Sequence, residues 1–186
     1  RATYRNAIGW QALGSALTHP HITTDFSEAQ LELITGVHGS AEAVETELTQ
    51  VHQAVYRALG DEMMWVGSMP CALPPDDQIP LGQYGTSNVG LSKTVYRTGL
   101  GHRYGRRMQT ISGIHYNWSL PEVTTAEYFG LIRNFRRRSF LLLYLFGASP
   151  AVARGFADNA PDLVPLGSDT LHMPHATSLR MGRLGY

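Results

Sequence analysis

Residues 28–60 read EAQLELITGVHGSAEAVETELTQVHQAVYRALG, and the stretch contains two different periodicities. In EAQLELIT, residues 28–35, apolar and polar side chains alternate, which favours a half-buried strand, with a short helix as the alternative. Farther along, Ser40 can cap a helix whose apolar residues keep helical spacing until Gly60 ends it. The sequence therefore predicts a strand followed by an amphipathic helix.

The rest of the sequence predicts one more strand and two more helices. Residues 108–120, MQTISGIHYNWSL, are predicted to form the best strand of the chain, with bulky side chains on one face and polar ones on the other. Helices are predicted over 89–100 and, from a T-x-x-E capping box, over 124–146, whereas the Pro- and Gly-rich stretch 68–88 is predicted to be loop. Strands separated by helices and long loops, without a Gly-rich phosphate-binding turn, favour an α+β fold.

The composition narrows the class of protein. Hydrophobic residues make up 43% of the 186 residues and charged ones 16%, which indicates a folded chain, and we expect it to form a single unit. The lone Cys71 cannot form an internal disulfide and no signal segment precedes it, so we expect a cytoplasmic protein. Its longest uninterrupted apolar run, Phe140–Phe146, is far too short to span a bilayer, so no membrane partner is expected.

Charge gives no reason to expect a nucleic-acid partner. Fifteen basic and fifteen acidic residues cancel. The two arginine clusters, within 103–107 and 133–138, are not interleaved with aromatic residues, and we interpret each as a charged helix face, with phosphate binding as the alternative. Cys71 has no charged neighbour in the sequence, so a buried or loop thiol is favoured over a nucleophile.

Four acidic residues are candidate metal ligands: Asp25, Glu28, Glu32 and Glu62. Glu28 and Glu32 are four residues apart, so they share a face in a strand and in a helix alike. Like charges so placed repel each other, and Mg²⁺, which prefers oxygen ligands, would remove the penalty. The alternative is a solvated face with unrelated acids.

The polar face of the predicted strand 108–120 is the second candidate site. Gln109, His115 and Asn117 lie on it and could line a substrate pocket with donors and acceptors from a rigid element. A solvated outer sheet face is the alternative. Taken alone, His115 is more typical of a hydrogen-bonded structural histidine than of an acid–base group.

Five stretches occur in order along nearly the whole chain: ALGSALTHPHITTDFSEAQLELIT, GDEMMWVGSMPC, QYGTSNVGLSKTVYRTGLGHRYGRRMQTISGIHYNWSLP, YLFGASPAV and PHATSLRMGRLGY. Together they resemble the N-terminal half of bacterial glutamate–cysteine ligases, the first enzymes of glutathione biosynthesis. The resemblance implies a glutamine-synthetase-like antiparallel sheet with flanking helices, here incomplete. Residues 1–186 are then expected to be part of a catalytic domain truncated at both ends.

The resemblance also implies a reaction. Members of this family use ATP and Mg²⁺ to convert the γ-carboxyl group of L-glutamate into γ-glutamyl phosphate, which the amine of L-cysteine attacks. These three small molecules are the expected partners, and the chain is expected to hold only part of the site. The alternative is a non-catalytic module of the same fold that binds an amino acid or a metal ion.

By motif, the resemblance assigns roles to individual residues. It implies that Asp25 and Glu32 of TTDFSEAQLE and Glu62 of GDE face the metal, with Glu28 a weaker candidate. The implied substrate-binding residues are Tyr96, Gln109, His115, Asn117, Arg180 and Tyr186. No catalytic residue is assigned.

Overall fold

The structure is a computed structural model, and the residues that it describes are 13–70, 73–147, 149–157 and 160–182. Cys71 and Tyr186 lie outside them. The chain divides into two compact units between Ile114 and His115, and each unit is described by itself. The organisation of residues 1–186 as a single unit stays a prediction.

Each unit contains short strands and at least one long helix. The first unit contains β1 (Ile22–Thr24), β2 (Leu31–Leu33), α1 (Ala41–Ala58) and α2 (Asn88–Tyr104), with 3-10 turns at Asp76–Gln78 and Arg107–Thr110. The second unit contains α3 (Thr125–Phe146), β3 (Ala151–Ala153), α4 (Arg154–Ala157), β4 (Val164–Pro165) and β5 (Thr170–His172), with a 3-10 turn at Leu179–Met181. Strands β1 and β2 form one antiparallel pair, and β3, β5 and β4 form a three-stranded antiparallel sheet in that order. The predicted α+β class is confirmed.

The β1–β2 hairpin covers one side of helix α1. Ile22 lies opposite Leu33 in the hairpin, and Ile22 packs with the buried Val51 and Val55 of α1. The alternation predicted for residues 28–35 is confirmed at Leu31–Leu33 only. Residues 28–30 belong to a turn, which the Gln30 N–H closes by donating to the Ser27 carbonyl oxygen at 3.1 Å.

The two helices of the first unit begin where the sequence predicts. The Ser40 hydroxyl caps α1 by accepting the Ala43 N–H at 3.3 Å. After this helix Gly60 adopts a φ of 60°, which glycine tolerates and other residues rarely adopt. Ser87 caps α2 in the same way, accepting the Gly90 N–H at 3.2 Å, and α2 continues past the predicted end to Tyr104.

The predicted strand over 108–120 is wrong. The Asp76 carboxylate accepts the N–H groups of Arg106 at 3.1 Å and Arg107 at 2.8 Å, and this cap starts a 3-10 turn over 107–110. Residues 111–120 have no regular secondary structure. A β-strand is stable only when a neighbouring strand pairs with its backbone N–H and C=O groups. Alternation of apolar and polar residues does not show that such a strand is present.

Helix α3 has the predicted capping box and length. The Glu127 N–H donates to the Thr124 hydroxyl at 3.3 Å, and the Thr124 N–H donates to the Glu127 carboxylate at 2.8 Å. The helix ends at Phe146, before Gly147. Within the described ranges, none of the helices has the length and apolar character needed to cross a membrane. The core of this unit includes the buried Val152 and Leu171 of its sheet.

Candidate functional site

The outer side of the β1–β2 hairpin carries two of the predicted metal-facing carboxylates. Glu32 is exposed and lies opposite Thr23, on the side away from α1. Asp25 follows β1 directly, is exposed, and extends the pairing by donating its N–H to the Gln30 carbonyl oxygen at 2.9 Å. Because strand side chains alternate and Thr24 is buried, Asp25 lies on the same side as Glu32.

Glu28 has a different setting from Glu32. It lies in the turn between the strands, is half-buried, and its Oε1 accepts the Gln83 N–H at 3.3 Å, which links the turn to the loop before α2. The prediction that Glu28 and Glu32 share a face requires one regular element over residues 28–35. This prediction is wrong, because β2 begins only at Leu31.

Glu62 comes from a separate part of the chain. It is half-buried just after α1, and its N–H donates to the Leu59 carbonyl oxygen at 3.1 Å. Across the described ranges, no three His, Cys, Asp or Glu side chains are grouped closely enough to hold a metal ion. Metal binding by Asp25, Glu28, Glu32 and Glu62 therefore stays a prediction.

The backbone at Thr24 and Asp25 is held in place by Arg97 of helix α2. Its Nε donates to the Asp25 carbonyl oxygen at 2.6 Å, and its Nη2 donates to the Thr24 carbonyl oxygen at 3.2 Å. A third nitrogen, Nη1, donates to the Lys93 carbonyl oxygen at 3.2 Å, so the guanidinium bridges the helix and the hairpin. The planar fork of donors in arginine suits this multiple contact.

Tyr84 completes this arrangement. Its buried hydroxyl lies 2.7 Å from the Thr24 hydroxyl and donates to the Asp25 carbonyl oxygen at 3.3 Å. The Arg97 guanidinium lies 4.7 Å from the centre of the Tyr84 ring, a cation–π distance. Helix α2 approaches closely here, because a Cβ on Gly90 would lie 2.5 Å from the Tyr84 carbonyl oxygen.

Sequence reasoning missed Tyr84 and Arg97. They are 59 and 72 residues from Asp25, the residue whose backbone they hold, so no local spacing connects them. The only signal is their place inside one stretch, QYGTSNVGLSKTVYRTGLGHRYGRRMQTISGIHYNWSLP, in which the resemblance assigns a role to Tyr96 but not to Tyr84 or Arg97.

The predicted substrate-binding residues have different environments. Tyr96 is exposed on α2, and Gln109 is buried in the 3-10 turn, where its carbonyl oxygen accepts from Gln30 Nε2 at 3.0 Å. His115 and Asn117 are exposed in the segment without regular structure, so the strand face predicted for them together with Gln109 does not form. Arg180 is exposed in the last 3-10 turn.

The clearest electrostatic coupling lies at Glu47 of α1. His38 Nε2 donates to its Oε2 at 2.6 Å, and the Gly36 N–H donates to the same oxygen at 2.7 Å. These two hydrogen bonds, that from His38 first, hold the pKa of the Glu47 carboxyl below its ordinary value of 4.5. His21 Nδ1 lies 3.6 Å from Glu47 Oε1, so Glu47 of α1 contacts both the residue before β1 and the segment after β2.

The β1–β2 hairpin presents the exposed carboxylates of Asp25 and Glu32 from a backbone that is held in place by hydrogen bonds. Mg²⁺ is usually bound through one or two carboxylates together with substrate phosphates rather than by a closed protein cage. Asp25 and Glu32 are suitable for such an open site, because both are exposed on one side of a hairpin whose backbone Arg97 and Tyr84 hold.

The sequence matches one protein family along almost its whole length. The family profile described as glutamate–cysteine ligase matches residues 7–126 and 121–186. Among curated proteins, the glutamate–cysteine ligase of Bordetella petrii is 52% identical over 190 residues, which cover 94% of this chain and 36% of that protein. The corresponding ligase of Alcanivorax borkumensis is 51% identical over 195 residues, covering 95% and 37%.

A solved structure is similar as well. The crystal structure of glutamate–cysteine ligase from Francisella tularensis in complex with AMP superposes with a TM-score of 0.85 at 41% sequence identity. The match covers 94% of this chain and 38% of that one. The chain thus spans little more than a third of the length of the relatives that it matches.

Proposed function

Because the chain belongs to the glutamate–cysteine ligase family, we propose that it forms part of a cytoplasmic enzyme that joins the γ-carboxyl group of L-glutamate to the amine of L-cysteine. The observation that carries the proposal is the family match through residues 7–126 and 121–186. The product would be γ-glutamylcysteine, the precursor of glutathione, and ATP would drive the reaction.

The chemistry requires activation of a poor electrophile. A free carboxylate resists attack by an amine, so the γ-carboxylate oxygen first takes the terminal phosphoryl group of ATP, which releases ADP. The cysteine amine then attacks the carbonyl carbon of γ-glutamyl phosphate, the amide bond forms, and inorganic phosphate and a proton leave. The AMP bound to the Francisella tularensis ligase supports the nucleotide part of this proposal.

We assign Asp25 and Glu32 as the carboxylates of this chain that hold Mg²⁺, with Glu62 and, more weakly, Glu28 as further ligands. Their oxygens are of the type that Mg²⁺ prefers, and the exposed positions of Asp25 and Glu32 leave room for substrate phosphates. When bound, the cation would neutralise charge on the transferring phosphoryl group.

The remaining proposed roles belong to binding and positioning. Arg97 and Tyr84 hold the Asp25 backbone, so the main chain at this position does not have to be ordered when substrate arrives. The proposed substrate-binding residues are Tyr96, Gln109, His115, Asn117, Arg180 and Tyr186.

The test replaces the matching part of the Bordetella petrii ligase with this chain and assays the chimera with ATP, Mg²⁺, glutamate and cysteine. We expect ADP and γ-glutamylcysteine in equal amounts. Asp25→Asn and Glu32→Gln should each lower kcat at least tenfold, whereas Glu45→Gln, on an exposed face of α1, should leave it unchanged. A folded chimera without product would refute the proposal.

Calorimetry of residues 1–186 alone distinguishes the other candidate function. Binding of Mg²⁺ and glutamate by this chain, combined with an inactive chimera, would instead favour a non-catalytic module. If the chain binds neither and the chimera is inactive, both candidates fail.

A further inference from the structure

Helix α3 is apolar enough for a buried position, yet it buries none of its residues. Its 22 residues run from Thr125 to Phe146, and not one of them is buried in the structure. The last two turns, Phe140–Phe146, read FLLLYLF and are apolar on every side of the helix. A helix of this character is normally surrounded by protein.

One side of α3 carries exposed apolar side chains along most of its length, interrupted at Ser139. At 3.6 residues per turn, five of its side chains fall on one side at spacings of four, seven, fourteen and eighteen residues from the first. We call this set the α3 stripe: Tyr128, Ile132, Phe135, Leu142 and Phe146. Their exposed fractions run from 40% for Ile132 to 75% for Phe146. The stripe is about 27 Å long at a rise of about 1.5 Å per residue.

Arginines border the α3 stripe. Arg136 and Arg138 lie on its two flanks, each about 80° from its centre at 100° per residue, and Arg133 and Arg137 lie farther round the helix. Within the ranges that the structure describes, no carboxylate forms an ion pair with any of them. An apolar stripe with a basic border favours a partner surface that is apolar at its centre and acidic at its edges.

We propose that the α3 stripe is a docking surface for the part of the glutamate–cysteine ligase polypeptide that lies outside the region matched by this chain. More than half of each relative lies in that part, since the match covers 36–38% of their lengths. This occupant would bury the stripe and bring carboxylates to Arg136 and Arg138. The inference rests on the family assignment and does not require the proposed reaction.

A second copy of this chain is the less suitable occupant. A two-fold dimer would bring the same face of α3 together from both copies. Each helix carries four arginines and a single carboxylate, Glu127, which already accepts the Thr124 N–H at its own N-terminus. Self-association through the stripe would therefore place like charges against each other.

The experiment co-expresses tagged residues 1–186 with the untagged remainder of the Bordetella petrii ligase, so that the two parts can fold together. We expect the remainder to co-purify in a one-to-one complex. Phe135→Asp should weaken the complex at least tenfold, because it places a charge in the middle of the stripe. Asn134→Asp adds the same side chain at the exposed neighbouring position, away from the stripe, and should leave the complex intact.

Circular dichroism of each variant checks that α3 still forms, and since Phe135 is 57% exposed, its replacement should not unfold the chain. Failure of the remainder to co-purify overturns the proposal, and so does equal weakening by both variants. A homodimer of residues 1–186 that Phe135→Asp dissociates also overturns it. A one-to-one complex that forms but makes no γ-glutamylcysteine leaves the docking surface standing and counts against the proposed reaction alone.

Discussion

Arg97 Nε donates a 2.6 Å hydrogen bond to the backbone carbonyl oxygen of Asp25, across 72 residues of sequence. The bond ties helix α2 to the residue that follows β1, where the exposed carboxylates of the hairpin lie. Because the acceptor is a backbone atom, the contact fixes the main chain at residue 25. Stability and site geometry are therefore linked at this point.

Arg97→Ala should lower the free energy of unfolding by about 1 to 3 kcal/mol, since it removes the donors to Thr24 and Asp25 and the cation–π contact with Tyr84. Urea denaturation followed by circular dichroism measures the change. Arg97→Lys should recover only part of it, because an ammonium group cannot span both carbonyl oxygens.

The matched control for Arg97 is Arg133→Ala, at an exposed position on α3. It should change the free energy of unfolding by less than about 0.5 kcal/mol. An equal loss of unfolding free energy in Arg97→Ala and Arg133→Ala would show that the Arg97 contacts do not stabilise the fold.

Gly90→Ala should destabilise the first unit by about 1 to 3 kcal/mol, because the new Cβ would lie 2.5 Å from the Tyr84 carbonyl oxygen and force α2 away from it. Gly99→Ala is the control in the same helix. There the nearest atom is a flexible Arg103 nitrogen at 3.4 Å, so the higher helix propensity of alanine should stabilise by about 0.5 to 1 kcal/mol. If urea titrations show that Gly90→Ala and Gly99→Ala change the free energy of unfolding in the same direction, α2 does not approach the Tyr84 carbonyl oxygen as closely as described.

Glu47 should make stability depend on pH in the acidic range. The pKa of its carboxyl is lowered in the folded protein by the His38 hydrogen bond first and the Gly36 N–H second. A lowered folded pKa means that its contribution is present above the unfolded value near 4.5 and is lost as the pH falls through the folded pKa. Glu47→Gln should flatten the fall in unfolding free energy below about pH 4.5.

Glu45→Gln is the control for this pH dependence, because Glu45 lies on the same helix and makes neither of these hydrogen bonds. Its profile should follow that of the unchanged protein. Parallel pH profiles for Glu47→Gln and the unchanged protein would show that the carboxylate contributes nothing in the folded state.

Thr124→Ala should lower the helical content of α3 and cost about 1 kcal/mol, since it removes the side-chain half of the capping box with Glu127. Thr124→Ser keeps a hydroxyl at the cap and should retain most of the stability. Circular dichroism at 222 nm during urea titration compares the two variants. If the serine variant is as unstable as the alanine variant, the hydroxyl at position 124 does not stabilise the start of α3.

The sequence predicted well wherever a few neighbouring residues determine the structure. Ser40 and Thr124 satisfy N–H groups three residues away, so the starts of α1 and α3 could be read directly from the chain. The alternation of Leu31 and Leu33 with Glu32 likewise correctly predicts a strand, and only the structure shows that both leucines pack against the core that includes Val51 and Val55 of α1.

Prediction failed where the partner is distant. The alternation of residues 108–120 resembles a strand, but the Asp76 carboxylate, some thirty residues earlier, caps a 3-10 turn there instead. Spacing alone predicts Glu28 and Glu32 on one face, but Glu28 accepts a hydrogen bond from Gln83, which lies 55 residues farther along the chain. Neither contact leaves a pattern in the residues around it.

Sequence alone determined the family, the α+β class and the helix starts, because these depend on ordered motifs, periodicity and caps within a few residues. Only the tertiary structure decided that Arg97 and Tyr84 hold the Asp25 backbone, that Glu28 is part of a turn, and that the α3 stripe is uncovered. Such relationships depend on which distant segments the folded chain brings together, and local periodicity carries no record of that choice.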